Sequence, residues 1–564
     1  MRVIGWQVLV AAIGLAVVGA LLFAQSSGLE VSYSPASGGE YVEAVVGQPT
    51  FVNPLLRSLA PADRDLAALT QAGLMRLDAG GLPVPDLAAS WAVTADGLSY
   101  TFVLREGLRW SDGFPLTLDD VLFSLRLLQA PDFPGAPDLV AMWGKVIVAK
   151  LNATTLKLTL PEPYAPFLEQ LVFYVQPAHV FAPAVASELG RHPANARLVG
   201  AGPFMLKELV SNSDGTLQEA VLTPNANHFG VAPMLESVRL RFMPQAESAE
   251  AALRGGAAMG WGGAAPAAVA ALLSDSQLQV YSAPVPKFGV IYLNQRNAAV
   301  DFFAEKKVRQ ALLLAFNRQG FVDAALQGQG IVARGPVAEG TWAQKSDLVS
   351  VAYDPKRATE LLATANWQLP VDALAGTEGY AREKQGKRLA FTLAAPDDAM
   401  GRILGQLVAE SWKKLGVQAT VQLMPPAELY ENMLPGRQFE AVLAMLNLET
   451  SADPDPYLFW HQTEIETGLN YSGYENRAIS ELLERARVST SIAERARLYD
   501  SFQARFADET PALILYQPVY SYAVSRQVRG VQLGTMLEPS DRFQSVSDWY
   551  MVTRRTIRRI AKVP

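Results

Sequence analysis

The chain has 564 residues, 50% hydrophobic and 18% charged, a globular composition with enough apolar material for more than one core. It contains no cysteine, which excludes disulfides, thiol nucleophiles, cysteine-ligated metals and the acceptor of a bacterial N-terminal lipid. A net charge of −7 and a pI near 5.4 weigh against a nucleic-acid partner. The four histidines, His179, His192, His228 and His461, are scattered without an HExxH or close pair, so no zinc site and no cofactor are expected.

From Val8 to Ala24 no side chain is polar, and Val3 to Trp6 extends the run across Gln7. A signal-peptide core is about 7–15 residues and a membrane span about 20, so this run sits nearer a span. Arg2 and the amino terminus supply a positive inside flank, which places the remainder outside the cytoplasm. Ala24-Gln25-Ser26 offers a cleavage site. An uncleaved anchor is favoured, because a chain without a lipidated cysteine needs another hold on the membrane. The stretch from Ser26, rich in Ser, Gly and Pro, reads as a flexible tether.

The stretch from Gly38 to Pro49 then reads as a short alternating strand that ends in a Gly/Pro turn and leads to Asn53-Pro54. Trp91 to Val93 and Tyr100 to Arg105 flank Asp96-Gly97, a strong hairpin signal. Thr117-Leu-Asp-Asp120 starts a helix with Val121, Leu122, Leu125 and Leu128 on one face. A second hairpin is expected around Asn152-Ala153. Further on, Phe288 to Asn294 reads as a strand and Val308 to Leu312 as a helix. Leu404, Leu407, Val408, Trp412 and Leu415 line a helix that Gly416 can end, with a strand from Val417 to Leu423. Asp453-Pro-Asp455-Pro, followed by Tyr457 and Trp460, cannot continue a helix or a central strand and reads as a rigid turn beside a cleft wall. Two amphipathic helices follow, on Ile479 to Ala486 and Leu498 to Phe506, then a strand on Leu513 to Tyr516 before Pro518. The basic end, Arg554-Arg555-Thr-Ile-Arg558-Arg559-Ile-Ala-Lys562, reads by default as a frayed solvent tail, with contact to anionic headgroups as the alternative.

Gly39-x-Tyr41-x-Glu43, Val46-Gly47-x-Pro49 and Asn53-Pro54 occur in order with Pro85-Asp86-Leu87-Ala88-x-Ser90-Trp91 and Asp96-Gly97-x-x-Tyr100-x-Phe102-x-Leu104-Arg105. Trp110-x-Asp112-Gly113, Thr117-x-Asp119-Asp120-Val121 and Gly200-x-Gly202-Pro203-Phe204 continue the series. In this combination the chain resembles the family 5 extracellular solute-binding proteins of ABC importers, the oligopeptide- and dipeptide-binding group. The resemblance implies an α/β fold of two lobes, of the periplasmic-binding-protein or Venus-flytrap type, with an extra inserted subdomain. Its segments would be 1–25 (signal peptide or anchor), 26–37 (tether), 38–75, 197–285 and 512–553 (first lobe), 76–196 (insert), 286–511 (second lobe) and 554–564 (basic tail). The chain would cross between lobes near Lys287 to Gln295 and again near Pro511 to Tyr520.

The implied function is ligand capture by hinge closure and delivery to ABC permease subunits with their ATPase partners, by a monomer outside the cytoplasm. The ligand would be a small peptide. Peptide-binding members of the family pair the ligand's ammonium with an acid just upstream of the Asp-Pro turn. Here that position falls on Thr450, with Glu449 adjacent and Asn447 at the upstream aromatic position. The expected binding residues are therefore Asn447, Glu449, Thr450, Asp453, Trp460, Asn470 and Tyr471, with Thr50 and Phe51 on the facing lobe. A polar solute without a cationic end, such as a sugar oligomer, is the alternative ligand. An exported hydrolase is a further alternative, although no GxSxG, HExxH or cysteine nucleophile is present.

Overall fold

The computed structural model describes residues 6, 12–19, 29–56, 59–370, 380–448 and 453–559. Its backbone is organised by one long strand, Leu513–Ser525, which is almost entirely buried. On one side this strand pairs antiparallel with Lys287–Leu293, followed outward by Ala441–Asn447, Ala390–Pro396 and Gln418–Met424. On the other it pairs with Gly260–Gly262, followed by Glu40–Val46, Ser237–Met243, Leu217–Pro224 and Phe204–Ser211. The strand changes partner at Pro518. Up to Tyr516 it is bonded to Lys287–Leu293, and from Val519 onward to Leu278–Pro284. A proline has no N–H to give a ladder, so the interruption falls where the strand passes from one half of the molecule to the other. A strand ending before Pro518 was expected; it continues because the Pro518 carbonyl still accepts the Val285 N–H at 3.2 Å.

Each half has its own core. Tyr41, Leu66, Leu240, Tyr522 and Trp549 belong to that of the first lobe. In the second lobe apolar clusters lie on both faces of the sheet, one built on Ile291, Leu312, Leu393 and Trp412, the other on Phe288, Val442, Trp460 and Phe502. Sheets buried on both faces read as continuous apolar runs, as Lys287–Leu293 does. The N-terminal and C-terminal parts of the first lobe are tied by Arg542, which donates to Glu43 at 2.8 Å and to Asp65 at 2.8 and 2.5 Å. All three are buried. Burial pushes both carboxyls upward in pKa while Arg542 opposes it.

An inserted unit carries a separate four-stranded sheet, Ala88–Val93, Ser99–Leu104, Thr155–Thr159 and Ile147–Lys150, over its own core. Both expected hairpins are present. Thr117 caps the helix Leu118–Leu128 with the reciprocal bond from Asp120, and Gly416 ends Ala399–Leu415 at φ +79°. Asp86 accepts the Gly73 N–H at 3.1 Å, and Arg105 donates to the Asp86 carbonyl at 2.6 Å, which explains two positions of the sequence pattern. Asn53, fully buried, donates to Gln176 and Asn195 and so joins the insert to the first lobe. Gly202 is required there because a Cβ would lie 2.5 Å from the Thr70 carbonyl carbon.

The two ends depart from expectation. Leu29–Ala36 pairs antiparallel with Val552–Arg559 over eight residues, so the described parts of the tether and of the basic tail form a ribbon instead of two loose ends; 26–28 and 560–564 lie outside the described residues. Local composition argued for disorder at each end separately. Neither end alone carries the signal of the other as its partner. No described helix is long and apolar enough to cross a membrane, and most of the apolar run at 8–24 lies outside the described residues.

Candidate functional site

In the second lobe Ala390–Pro396, Gln418–Met424 and Ala441–Asn447 run parallel. Their carboxyl ends, at Pro396, Met424 and Asn447, therefore share one edge. Asn447 lies opposite Lys287 in register, and the next N–H, that of Leu448, donates to the Pro286 carbonyl at 2.8 Å. This edge therefore adjoins the crossing strands. In the first lobe Glu40–Val46, Ser237–Met243 and Gly260–Gly262 are also parallel. Gly260–Gly262 pairs with the long strand from Val524 back to Tyr522, so its carboxyl end likewise points toward Pro518. Both lobes direct the carboxyl ends of parallel strands at the same crossing. Crevices outside such strand ends are where open α/β sheets bind ligands.

The crossing is held by Gln517, which is fully buried. Its amide donates to the Val285 carbonyl at 2.8 Å and its carbonyl accepts the Glu339 N–H at 3.0 Å. On the second-lobe edge, Ala441–Asn447 runs past its pairing with Ala390–Pro396, which ends at Ala394 opposite Val442. Beyond that point the Tyr430 hydroxyl accepts the Met445 N–H at 2.9 Å. The Tyr516 hydroxyl reaches the Met445 sulfur at 3.7 Å. Burial and the neighbouring Asp398 charge push the Tyr516 hydroxyl up to about 12. Asp398 itself caps the helix Ala399–Leu415 through the Gly401 N–H at 2.7 Å. Gly289 makes room for the Tyr516 ring, since a Cβ there would stand 2.2 Å from Cε1.

Thr50 and Phe51 follow the strand end at Val46 on the first lobe. Asp63 accepts the Thr50 N–H at 3.0 Å, the Thr50 hydroxyl at 2.6 Å and the Phe51 N–H at 2.8 Å. These bonds hold Phe51 at φ +53°. Asn447 is exposed at its strand end. Glu449 and Thr450 lie outside the described residues.

The remaining expected residues lie deeper. Asp453 is buried against Arg495, accepts the Tyr499 hydroxyl at 3.1 Å and gives its own N–H to Glu169 at 2.7 Å. Asp455, at φ +23°, takes Arg487 Nη2 at 2.8 Å and Nε at 3.1 Å. Burial raises the Asp455 carboxyl, against the pull of Arg487. Arg487 in turn covers Tyr457 at 4.1 Å and Tyr164 at 5.4 Å. The acidic turn is thus fixed by two arginines of the following helices, Arg477–Val488 and Ile492–Glu509. Glu169 and Tyr164 bring the insert to the same turn. Trp460 is 2% exposed and packs edge-on to Phe506 at 4.7 Å. Asn470 is fully buried and donates to the His461 and Tyr474 carbonyls at 3.1 and 2.9 Å. Tyr471 is half-buried and meets Tyr292 edge-on at 5.5 Å.

The structure therefore gathers Asn447, Thr50 and Phe51 at the two strand-end edges, and it adds Tyr430, Met445, Tyr516 and Asp398, which sequence patterns did not single out. Parallel pairing decides which residues share an edge, and pairing is not visible in a local window. Among the described residues no group of three or more His, Asp or Glu side chains stands where it could hold a metal ion.

Residues 83–467 match the family described as bacterial extracellular solute-binding proteins, family 5 Middle. The chain is 26% identical over 535 residues to the oligopeptide-binding protein AppA of Bacillus subtilis (strain 168), covering 93% of this chain and 94% of that one. It is 25% identical over 510 residues to the nickel-binding periplasmic protein of Escherichia coli (strain K12), covering 88% and 91%. The solved structure of AppA from Bacillus subtilis in complex with a nonapeptide superposes with a TM-score of 0.66 at 25% identity, covering 92% of this chain and all of that one.

Proposed function

Because the chain belongs to the family 5 bacterial extracellular solute-binding proteins, a group of two-lobed substrate receptors, we propose that it captures a peptide between its lobes and delivers it to an ABC permease with ATPase subunits. The carrying observation is that both lobes turn the carboxyl ends of their parallel strands toward one crossing, at Pro286 and Pro518. A solute bound there touches both lobes only when they approach, so binding favours the closed arrangement by the contacts that closure adds. No covalent chemistry is needed, and the protein acts as a receptor, not an enzyme.

A peptide suits the second-lobe edge. The strand end beyond Val442 extends past its neighbour, and an extended ligand can lie along such an edge through main-chain hydrogen bonds, with pockets for alternate side chains. Asn447, Tyr430 and Met445 would border it, with Thr50 and Phe51 opposite. Glu449 would pair with the ligand's ammonium, which in a water-poor cleft requires a carboxylate partner. Asp453, Trp460 and Asn470 would act from behind, by fixing the turn that presents residues 447–450. The site lies outside the cytoplasm, with the apolar run at 8–24 serving as the membrane anchor. Small-angle scattering on addition of mixed short peptides is expected to give a smaller radius of gyration, with a bound peptide weighed in native mass spectra. Peptide retained without compaction would sink hinge closure, and failure to retain any peptide would sink the ligand class.

A further inference from the structure

The paired ends form a sheet of their own, separate from the other sheets of the molecule. The register is unbroken from Leu29 opposite Arg559 to Ala36 opposite Val552. The ribbon is rooted in the first lobe, where the Gly38 N–H donates to the Met234 carbonyl at 2.8 Å and Arg529 and Tyr550 exchange backbone bonds at 2.9 and 3.0 Å. Among the described residues neither of its strands pairs with any other strand. An isolated two-stranded ribbon is marginal in water, so it gains by lying against a surface.

Its composition says which surface. Val552–Arg559 carries Arg554, Arg555, Arg558 and Arg559 and no acid, while Leu29–Ala36 carries only Glu30. This is a basic element in a chain of net charge −7. Arg554 and Arg555 are exposed, and among the described residues neither has a carboxylate partner. Tyr33, an amphipathic side chain of the kind enriched at membrane interfaces, is 66% exposed on the facing strand.

Its position fits the same partner. Leu29 follows the last residue of the apolar run, Ala24, by only five positions. Fully extended, five residues span about 17 Å. With the run in a bilayer, the Leu29–Arg559 end of the ribbon is thus held close to the headgroups. The register puts Arg558 and Arg559 at that end. An anionic surface attracts charges within about a Debye length, roughly 10 Å.

We propose that this ribbon is a membrane-surface foot, whose arginines bind anionic phospholipid headgroups and set the orientation of the receptor on the bilayer. The inference rests on the anchor reading of the apolar run but not on the identity of the ligand in the cleft. Adjacent residues of a strand face opposite ways, so each face presents two of the four arginines, and at about 1 kcal/mol per basic residue two favour the docked orientation over neutral lipid by roughly 30-fold.

The chain has no cysteine, so Ser34→Cys gives a single labelling point on the ribbon. The full-length chain, labelled there, is reconstituted with vesicles of phosphatidylcholine alone or with phosphatidylglycerol added, each carrying a lipid acceptor dye. Retention on the neutral vesicles reports the anchor separately. Energy transfer is expected to rise on the anionic vesicles and to fall back in high salt. It should also fall back in the combined Arg→Gln variant at 554, 555, 558 and 559, whereas the Arg→Lys counterpart keeps most of the rise. If the Gln variant loses ribbon protection in hydrogen exchange, the Lys variant and the salt series decide the matter. Equal transfer on both lipids would overturn the proposal. So would a rise that requires a co-reconstituted permease, which would assign the arginines to a protein partner.

Discussion

Asp453 has Arg495 and Tyr499 as its partners in a place almost closed to water, so deleting its carboxylate strands a buried guanidinium. Breaking such a pair from one side costs about 3–5 kcal/mol. Asp453→Ala is therefore expected to lower the free energy of unfolding by that order in denaturant titration, with peptide affinity measured in the folded range changing far less. An affinity loss at unchanged stability would place Asp453 in contact with ligand instead. Asp86 offers a complementary case. Burial, opposed by the Gly73 N–H and two nearby arginines, pushes its carboxyl up to about 6. The native state then binds a proton more readily than the unfolded chain between about pH 4 and 6. The ordinary chain accordingly loses stability as pH rises through that window, and Asp86→Asn, which stays neutral, does not. The variant should gain on the parent from pH 4 to 6 and then hold a constant lead; a pH-independent difference in urea midpoints would contradict this. At this scale the sequence separated turn chemistry from binding chemistry poorly. Asn470 and a ligand-binding amide are the same residue type beside the same turn, and only the carbonyls of His461 and Tyr474 around it tell what its donors do.

Local elements were legible where their determinants are local. Thr117 and Asp120 cap a helix within four residues, and Asp96-Gly97 closes a hairpin whose strands adjoin it. The elements that define the cleft were not, because their determinants are hundreds of positions apart. Leu513 and Ile291 are register partners, as are Leu29 and Arg559, and no window of sequence contains either pair. The exchange of partners at Pro518 is the clearest example, since a proline in a strand reads as its end. Gln517 compensates by bonding both to Val285 and to Glu339. Gln517→Ala removes two buried bonds at the crossing, each worth roughly 1 kcal/mol. The expected result is faster hydrogen exchange at Val285 to Lys287 and around Glu339 and a broader distribution of interlobe distances, with the cores on either side unaffected. Exchange unchanged at the crossing would show that the backbone alone holds it.

For the whole molecule, the family assignment places two lobes around a ligand, and the structure adds a third body that touches both. Asn53 ties the insert to the first lobe, while Glu169 accepts the Asp453 N–H from the second. The insert therefore bonds to both lobes, through Asn53 on one side and the acidic turn on the other. Among the described residues, Leu513–Ser525 is the only strand paired into both halves of the large sheet. It follows every other described strand of that sheet in chain order. Until it is synthesised, each half lacks an inner strand, and the apolar faces of both remain unsealed. Neither half can complete its folding ahead of the other on the ribosome. The order of synthesis thus keeps both halves of the large sheet incomplete until this strand is made, and a chain not yet closed into its sheet is one that can be threaded across a membrane.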